Sequence, residues 1–213
     1  MKVGVLGSGD VAKVLAAGFL KHGHAVTIGS RTPAKLADWA KQHHALSVSD
    51  FAGAAASGEL LVLAVKGNAA AEVLRLAESK NLSGKTVMDA CNPIADAPPE
   101  HGVLRFFTTH TESLMEQLQN QFPDAHFVKA YNSVGNACMI NPQFAGGMPT
   151  MFICGNNEQA KQTVAKINEQ FGWETADLGT VEAARAIEPL CMLWCISGFL
   201  HNDWFHAFKL LKK

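Results

Sequence analysis

Charge is scarce in this sequence and almost balanced: 17% of the 213 residues are charged, and the net charge is -1. So neutral a chain has no electrostatic footprint for nucleic acid or an anionic membrane surface, and neither is expected as a partner. No basic segment followed by an apolar one opens the chain, because a strand pattern begins at residue 2. A secretory leader is therefore not expected, and the reading is a cytoplasmic protein. Cysteine is sparse and odd in number: Cys91, Cys138, Cys154, Cys191 and Cys195 are widely spaced, without a C-x-x-C. That pattern argues against a disulfide framework or a zinc site and for buried or free thiols in a reducing compartment. The histidines have no metal-ligand spacing, so no metal is expected. The longest apolar stretch, residues 189–200, falls short of the roughly 20 residues that a membrane-crossing helix needs. It reads as a buried or interface helix.

What the sequence does have begins at once. Residues 2–6 form a short apolar run that leads into Gly7-Ser8-Gly9-Asp10-Val11-Ala12, after which a helical pattern starts. Strand, glycine turn and helix N-terminus follow in the order of a dinucleotide-binding βαβ unit. Gly7 supplies the tight turn, and Gly9 removes a Cβ where a pyrophosphate must approach. Ala12, in place of a third glycine, is small enough for helix–strand packing. The free N–H groups of the first helical turn favour the phosphate charge. At the end of the second strand, an NAD site would place an acid for the ribose 2′-hydroxyl. Here the chain reads Gly29-Ser30-Arg31-Thr32, with Lys35 a turn later. Arg31 offers a planar cationic fork for a 2′-phosphate, and Ser30, Thr32 and Lys35 add hydroxyls and charge. NADP is therefore the expected cofactor; the plainer reading of Arg31 is a solvated residue at a helix start.

Apolar runs mark further strands near 25–28, 45–48, 59–65, 85–90 and 126–131, with helical patterns near 35–43, 51–56, 68–78 and 111–121. This alternation predicts an α/β fold, a doubly wound parallel sheet of the Rossmann type. Strand ends at 65–68, 91–93 and 130–135 then share one crevice. They bring Ala64, Val65, Lys66, Asn92, Pro93, Ala130 and Asn132 forward as cofactor-binding candidates. The Gly/Pro-rich loop 141–149 places a boundary, giving a dinucleotide-binding domain at 1–145 and a small C-terminal domain at 146–213. In the latter, strands at 150–154 and 173–178 flank a helix at 157–171. The last 30 residues look helical, with a break or kink at Pro189.

Several segments resemble the coenzyme F420-dependent NADP oxidoreductase family. They are residues 7–12, Gly-His-Ala-Val-Thr-Ile-Gly-Ser-Arg at 23–31, Lys-Ala-Tyr-Asn at 129–132, Ile-Cys-Gly at 153–155 and the helix with Glu182, Arg185 and Glu188. They are equally similar to the cytosolic NADPH-binding domain of the STEAP metalloreductases, whose membrane domain has no counterpart here. The resemblance implies a homodimer that binds NADP through residues 7–11 and 30–32. It also implies a flavin or deazaflavin, FMN, FAD or F420, as the hydride acceptor stacked on the nicotinamide. F420-reducing members carry His where this chain has Asn132, and the STEAP pattern has Asn. Hydride transfer between two such rings needs no acid, base or nucleophile from the protein, so no catalytic side chain is expected. Asn92 and Asn132 are candidates for holding the carboxamide or the second substrate, and equally for plain turn residues. Trp194, Phe199, Trp204 and Phe205 fit core or dimer interface better than an acceptor pocket. A dehydrogenase of a small substrate and a non-catalytic NADP sensor remain the alternatives.

Overall fold

The computed structural model describes residues 1–213. Six strands form one parallel sheet: β1 (Lys2–Leu6), β2 (Ala25–Gly29), β3 (Leu46–Ser49), β4 (Leu60–Leu63), β5 (Thr86–Asp89) and β6 (His126–Lys129). Their order is β3-β2-β1-β4-β5-β6, and every pairing is parallel. This is the doubly wound Rossmann order, in which the winding reverses between β1 and β4. Central strands covered on both faces must be apolar throughout, and β4 is fully buried along its length.

Nine α-helices accompany the strands. The first six are α1 (Asp10–Lys21), α2 (Ala37–Ala40), α3 (Phe51–Ser57), α4 (Gly67–Leu76), α5 (Ser79–Leu82) and α6 (Leu114–Gln121). The remainder are α7 (Glu158–Gln170), α8 (Ala184–Ile187) and α9 (Pro189–His201). Asp50 caps α3 as its position before an apolar run suggests, its carboxylate accepting from Gly53 N–H at 2.8 Å. Ser113 and Glu116 form a reciprocal capping box on α6. The helix expected over 35–43 is shorter: a 3₁₀ turn, Pro33–Leu36, passes into α2 and stops at Ala40.

Beyond the sheet, β7 (Thr150–Ile153) and β8 (Glu174–Asp177) pair in parallel as a separate two-stranded sheet. A single bridge, Lys129 with Cys154, links it to β6. Met151, Ile153, Val164, Ile167, Phe171 and Trp173 nevertheless pack in the same apolar core as β1, β2 and α1.

The C-terminal region is not one continuous helix. Pro189 marks the break expected there: α8 ends at Ile187 and α9 begins at Pro189, where its missing N–H is harmless, although Glu188 between them keeps helical angles. The helical path therefore runs Val181–His201, long and apolar enough by length and composition to cross a membrane. In this fold its Glu188 and Arg185 are tied instead to Lys129 and Glu116. Helix also does not continue to the terminus. Asn202 adopts a left-handed conformation (φ 55°), ends α9, and turns the chain back. Trp204 then packs on Gly198, and Phe208 O accepts from Thr150 N–H at 2.9 Å along the edge of β7.

Candidate cofactor cleft

The C-terminal edge of the parallel sheet opens into a cleft of about 950 Å³. Its centre is the β1–α1 turn, where Gly7, Ser8, Gly9, Asp10 and Val11 all line the wall. Gly7 has φ +147°, and a Cβ there would lie 2.2 Å from Ala64 O, so only glycine brings the turn this close to β4. Gly9 is the opposite case. A Cβ on it would meet no protein atom within 4 Å. The chain needs no glycine there for its own packing, which fits a ligand's need for close approach to the backbone.

Toward β2, Ser30 and Arg31 line the cleft beside Phe51, and Glu72 and Val73 of α4 also contribute to its wall. Ser30 Oγ accepts from Thr32 N–H at 3.1 Å and donates to Ser8 Oγ at 3.4 Å, which couples the β2 end to the glycine turn. Arg31 is exposed and makes no ion pair, so its guanidinium is available to an anion. No acidic residue follows β2 before Asp38. Thr32 and Lys35 are exposed beside Arg31 but are not part of the cleft lining.

Toward β4 and β5, Ala64, Val65, Lys66 and Asn92 line the cleft as the sequence places them. Pro93, buried behind Asn92, is not a lining residue, and neither are Ala130 and Asn132. Ala130 is fully buried in the core because it continues β6 downward, its N–H donating to Asp89 O at 3.0 Å. Asn132 is buried behind Asn92. Its Nδ2 donates to Asn92 Oδ1 (3.2 Å) and to Ile187 O (3.0 Å), while Asn92 Nδ2 donates to Asn132 O (2.7 Å). Its Oδ1 has no partner. The third strand end thus supports the second from beneath rather than facing the cleft. Val134, beyond β6, and Leu190 and Met192 of α9 are also absent from the lining.

Their place is taken by the loop that follows Pro93. Residues 94–98 form the far wall. They belong to a small antiparallel excursion in which Ile94 bridges Phe106 and Glu100 bridges Val103. Asp96 reaches back across the opening, accepting from Asn68 Nδ2 at 2.8 Å and facing Lys66 Nζ at 3.8 Å, both pairs at the exposed surface. The signal for this wall was the loop's length and its position after a central strand, which is where such folds bind ligands.

The five cysteines are free and buried. Burial pushes the Cys154 thiol up to about 12, and desolvation likewise raises Cys91, next to Asn92 at the β5 end. Neither is an activated thiolate.

A six-stranded sheet in this order, a glycine turn at its switch point and a cleft across the strand ends define a Rossmann-type dinucleotide-binding protein. Residues 2–93 match the family described as NADP oxidoreductase, coenzyme F420-dependent. A crystal structure from Arthrobacter sp. FB24, provisionally assigned as an F420-dependent NADP-reductase, is 33% identical; each chain covers 100% of the other, with a TM-score of 0.93. The F420-dependent NADP reductase of Methanocaldococcus jannaschii is 27% identical, over 91% of this chain and 90% of that protein. Metalloreductase STEAP3 of Rattus norvegicus is 30% identical over 97% of this chain, which spans only 40% of that protein's length. The chain belongs to the coenzyme F420-dependent NADP oxidoreductase family, a family of NADP-dependent oxidoreductases.

Proposed function

We propose that the chain binds NADP(H) in this cleft and passes a hydride between it and a flavin or deazaflavin, with FMN, FAD or F420 as the acceptor class. The observation that carries the reading is the pairing of an open Gly9 position with a free Arg31 at the β2 end. The first admits a pyrophosphate and the second suits a 2′-phosphate, with no acid before Asp38 to repel it. NADP(H) supplies the hydride chemistry itself. The protein's part is to bind and orient. Gly7, Ser8, Gly9 and Asp10 hold the turn at the diphosphate, Val11 lies in the first turn of α1 behind it, and Ser30, Arg31, Thr32 and Lys35 surround the 2′-phosphate. Ala64, Val65 and Lys66 form the floor, and Asn92 faces the nicotinamide end. The wall 94–98 screens that end from water. No acid or base is required of the protein, because a nicotinamide and a flavin-like ring exchange a hydride directly once held in contact.

Asn132, where F420-reducing relatives carry His, favours FMN, FAD or riboflavin over F420. We further propose that the protein acts in the cytoplasm as a homodimer, without nucleic acid or membrane partners. The test is anaerobic NADPH oxidation, followed by loss of the reduced-nicotinamide absorbance, with FMN, FAD, riboflavin, F420 and a quinone offered in turn. A flavin or deazaflavin should accelerate it well above background. Tight NADPH binding without turnover on any acceptor would replace this reading with that of a redox sensor.

A further inference from the structure

Beneath the cleft lies a cluster of charge that hydride transfer does not use. Asp89 and Lys129 end β5 and β6 as register partners. Lys129 Nζ lies 2.7 Å from Asp89 Oδ2 and 2.9 Å from Glu188 Oε1, and the three side chains are 0%, 0% and 2% exposed. The ammonium also donates to Cys91 O at 2.9 Å. Asp89 Oδ1 accepts from Cys91 N–H at 2.9 Å. Glu188 in turn accepts the N–H groups of Leu114 and Met115, both at 3.0 Å, at the start of α6. Burial alone would depress the lysine's affinity for its proton, but the two carboxylates outweigh it and raise it, so Lys129 stays charged.

Both backbone polar groups of Cys91 therefore end on this triad, and the next residue is Asn92. Asn92 and Asn132 exchange hydrogen bonds, and Asn132 is tied to Ile187 O, one residue before Glu188. The contacts close into a ring through Lys129, Cys91, Asn92, Asn132, Ile187 and Glu188. Stability alone does not call for such a ring. Replacing buried ion pairs by well-packed apolar residues is often neutral or stabilising, so their presence at one strand end points to fixing geometry. The Gly7–Val11 turn and the Ser30–Arg31 corner take up the diphosphate and the adenosine side. The remaining half of a dinucleotide must then extend over β4 and β5 to Asn92.

We propose that Lys129, with Asp89 and Glu188, is the positioning centre for the nicotinamide half of the cofactor, acting through the Cys91–Asn92 backbone and the Asn92–Asn132 pair. This rests on the cofactor reading above. Two ligands separate the halves of the site: NADPH, and 2′-phospho-ADP-ribose, which has the diphosphate and 2′-phosphate but no nicotinamide. In Lys129→Met, the NADPH dissociation constant should rise about tenfold, as loss of a well-placed polar contact implies. That for 2′-phospho-ADP-ribose should stay within about twofold, less than the loss of any one hydrogen bond. Parallel changes for both ligands, or none for either, would overturn the positioning role. Failure of the unmodified chain to bind either ligand overturns the cofactor reading itself, and this proposal with it. If Lys129→Met does not fold, Glu188→Gln carries the same comparison. Its amide replaces one acceptor of the ring with a donor, so NADPH should weaken by about threefold or more while the fragment does not; equal effects on the two ligands overturn the proposal there too.

Discussion

At the scale of single residues, the most informative positions are those where the chain's own needs and a ligand's needs diverge. Gly7 serves both, because its φ of +147° and the 2.2 Å approach to Ala64 O leave no room for another residue. Gly9 meets no packing need of the chain and, on the proposed reading, serves the ligand alone. Its backbone is extended (φ -78°, ψ -177°) and any residue could adopt it. Gly9→Ala should therefore leave the melting temperature unchanged within about a degree, since surface changes of this kind stay within roughly 0.5 kcal/mol. NADPH binding should weaken by about tenfold or more as the methyl group meets the diphosphate. Calorimetry and a fluorescence titration on the same preparation check both halves. A variant that binds as tightly as the parent removes the diphosphate from this turn.

At the scale of elements, the hinge between the sheet and the C-terminal helices is the first turn of α6. Glu116 closes the capping box with Ser113 and receives Arg185 Nε at 3.1 and 3.0 Å. Burial by itself would raise the Glu116 carboxyl, but Arg185 and the Ser113 contacts prevail and hold it below its ordinary value. With the folded value depressed, its stabilisation is complete above the ordinary value of 4.5 and is lost as pH falls through the folded one. Glu116→Gln keeps a capping-box acceptor but removes the charge that faces Arg185, which should cost about 1 kcal/mol near neutral pH. The gap in melting temperature should narrow as pH falls below about 4.5 and the parent carboxylate gains a proton, the variant being neutral throughout; a gap that persists into strong acid contradicts the linkage. The six strands of the main sheet were legible in the sequence because each is a largely apolar run between polar turns, though β4, β5 and β6 prove shorter than the runs that announce them. The pairing of Asp89 with Lys129 at the ends of β5 and β6 was not legible, even with Lys129 inside a family motif, because it depends on register across strands far apart in sequence. The return of the C-terminal tail was missed because residues 204–211 keep an apolar pattern that helix and packed tail share. Asn202, the left-handed stop before it, was the available signal. In the cleft, the glycine turn and the β2 end could be read from motif spacing. The wall 94–98 could not, because loop paths follow tertiary contacts such as Asp96 with Asn68 rather than periodicity.

At the scale of the whole molecule, α9 is apolar on more than the side it buries. Trp194 and Cys195 face inward, yet Leu193, Phe199, Leu200 and, just beyond the helix, Phe205 are exposed. Large apolar residues exposed in this number on one helix and the turn after it call for a cover, and the proposed homodimer would supply a self-complementary one. Light scattering at micromolar concentration should give twice the 22.8 kDa chain mass, and Leu193→Glu with Phe199→Glu should restore the monomer; a monomeric parent contradicts the homodimer. The cofactor reading has the shortest path to a decision. Dissociation constants for NADPH and NADH, measured by fluorescence titration on the unmodified protein and on Arg31→Ala, test it directly. NADPH should bind the unmodified protein more tightly by roughly one to two decades, the worth of about 1.5–3 kcal/mol of charge-assisted contact, and Arg31→Ala should erase most of that difference while leaving NADH unchanged. Equal affinity of the unmodified protein for the two dinucleotides would contradict an NADP site in this cleft.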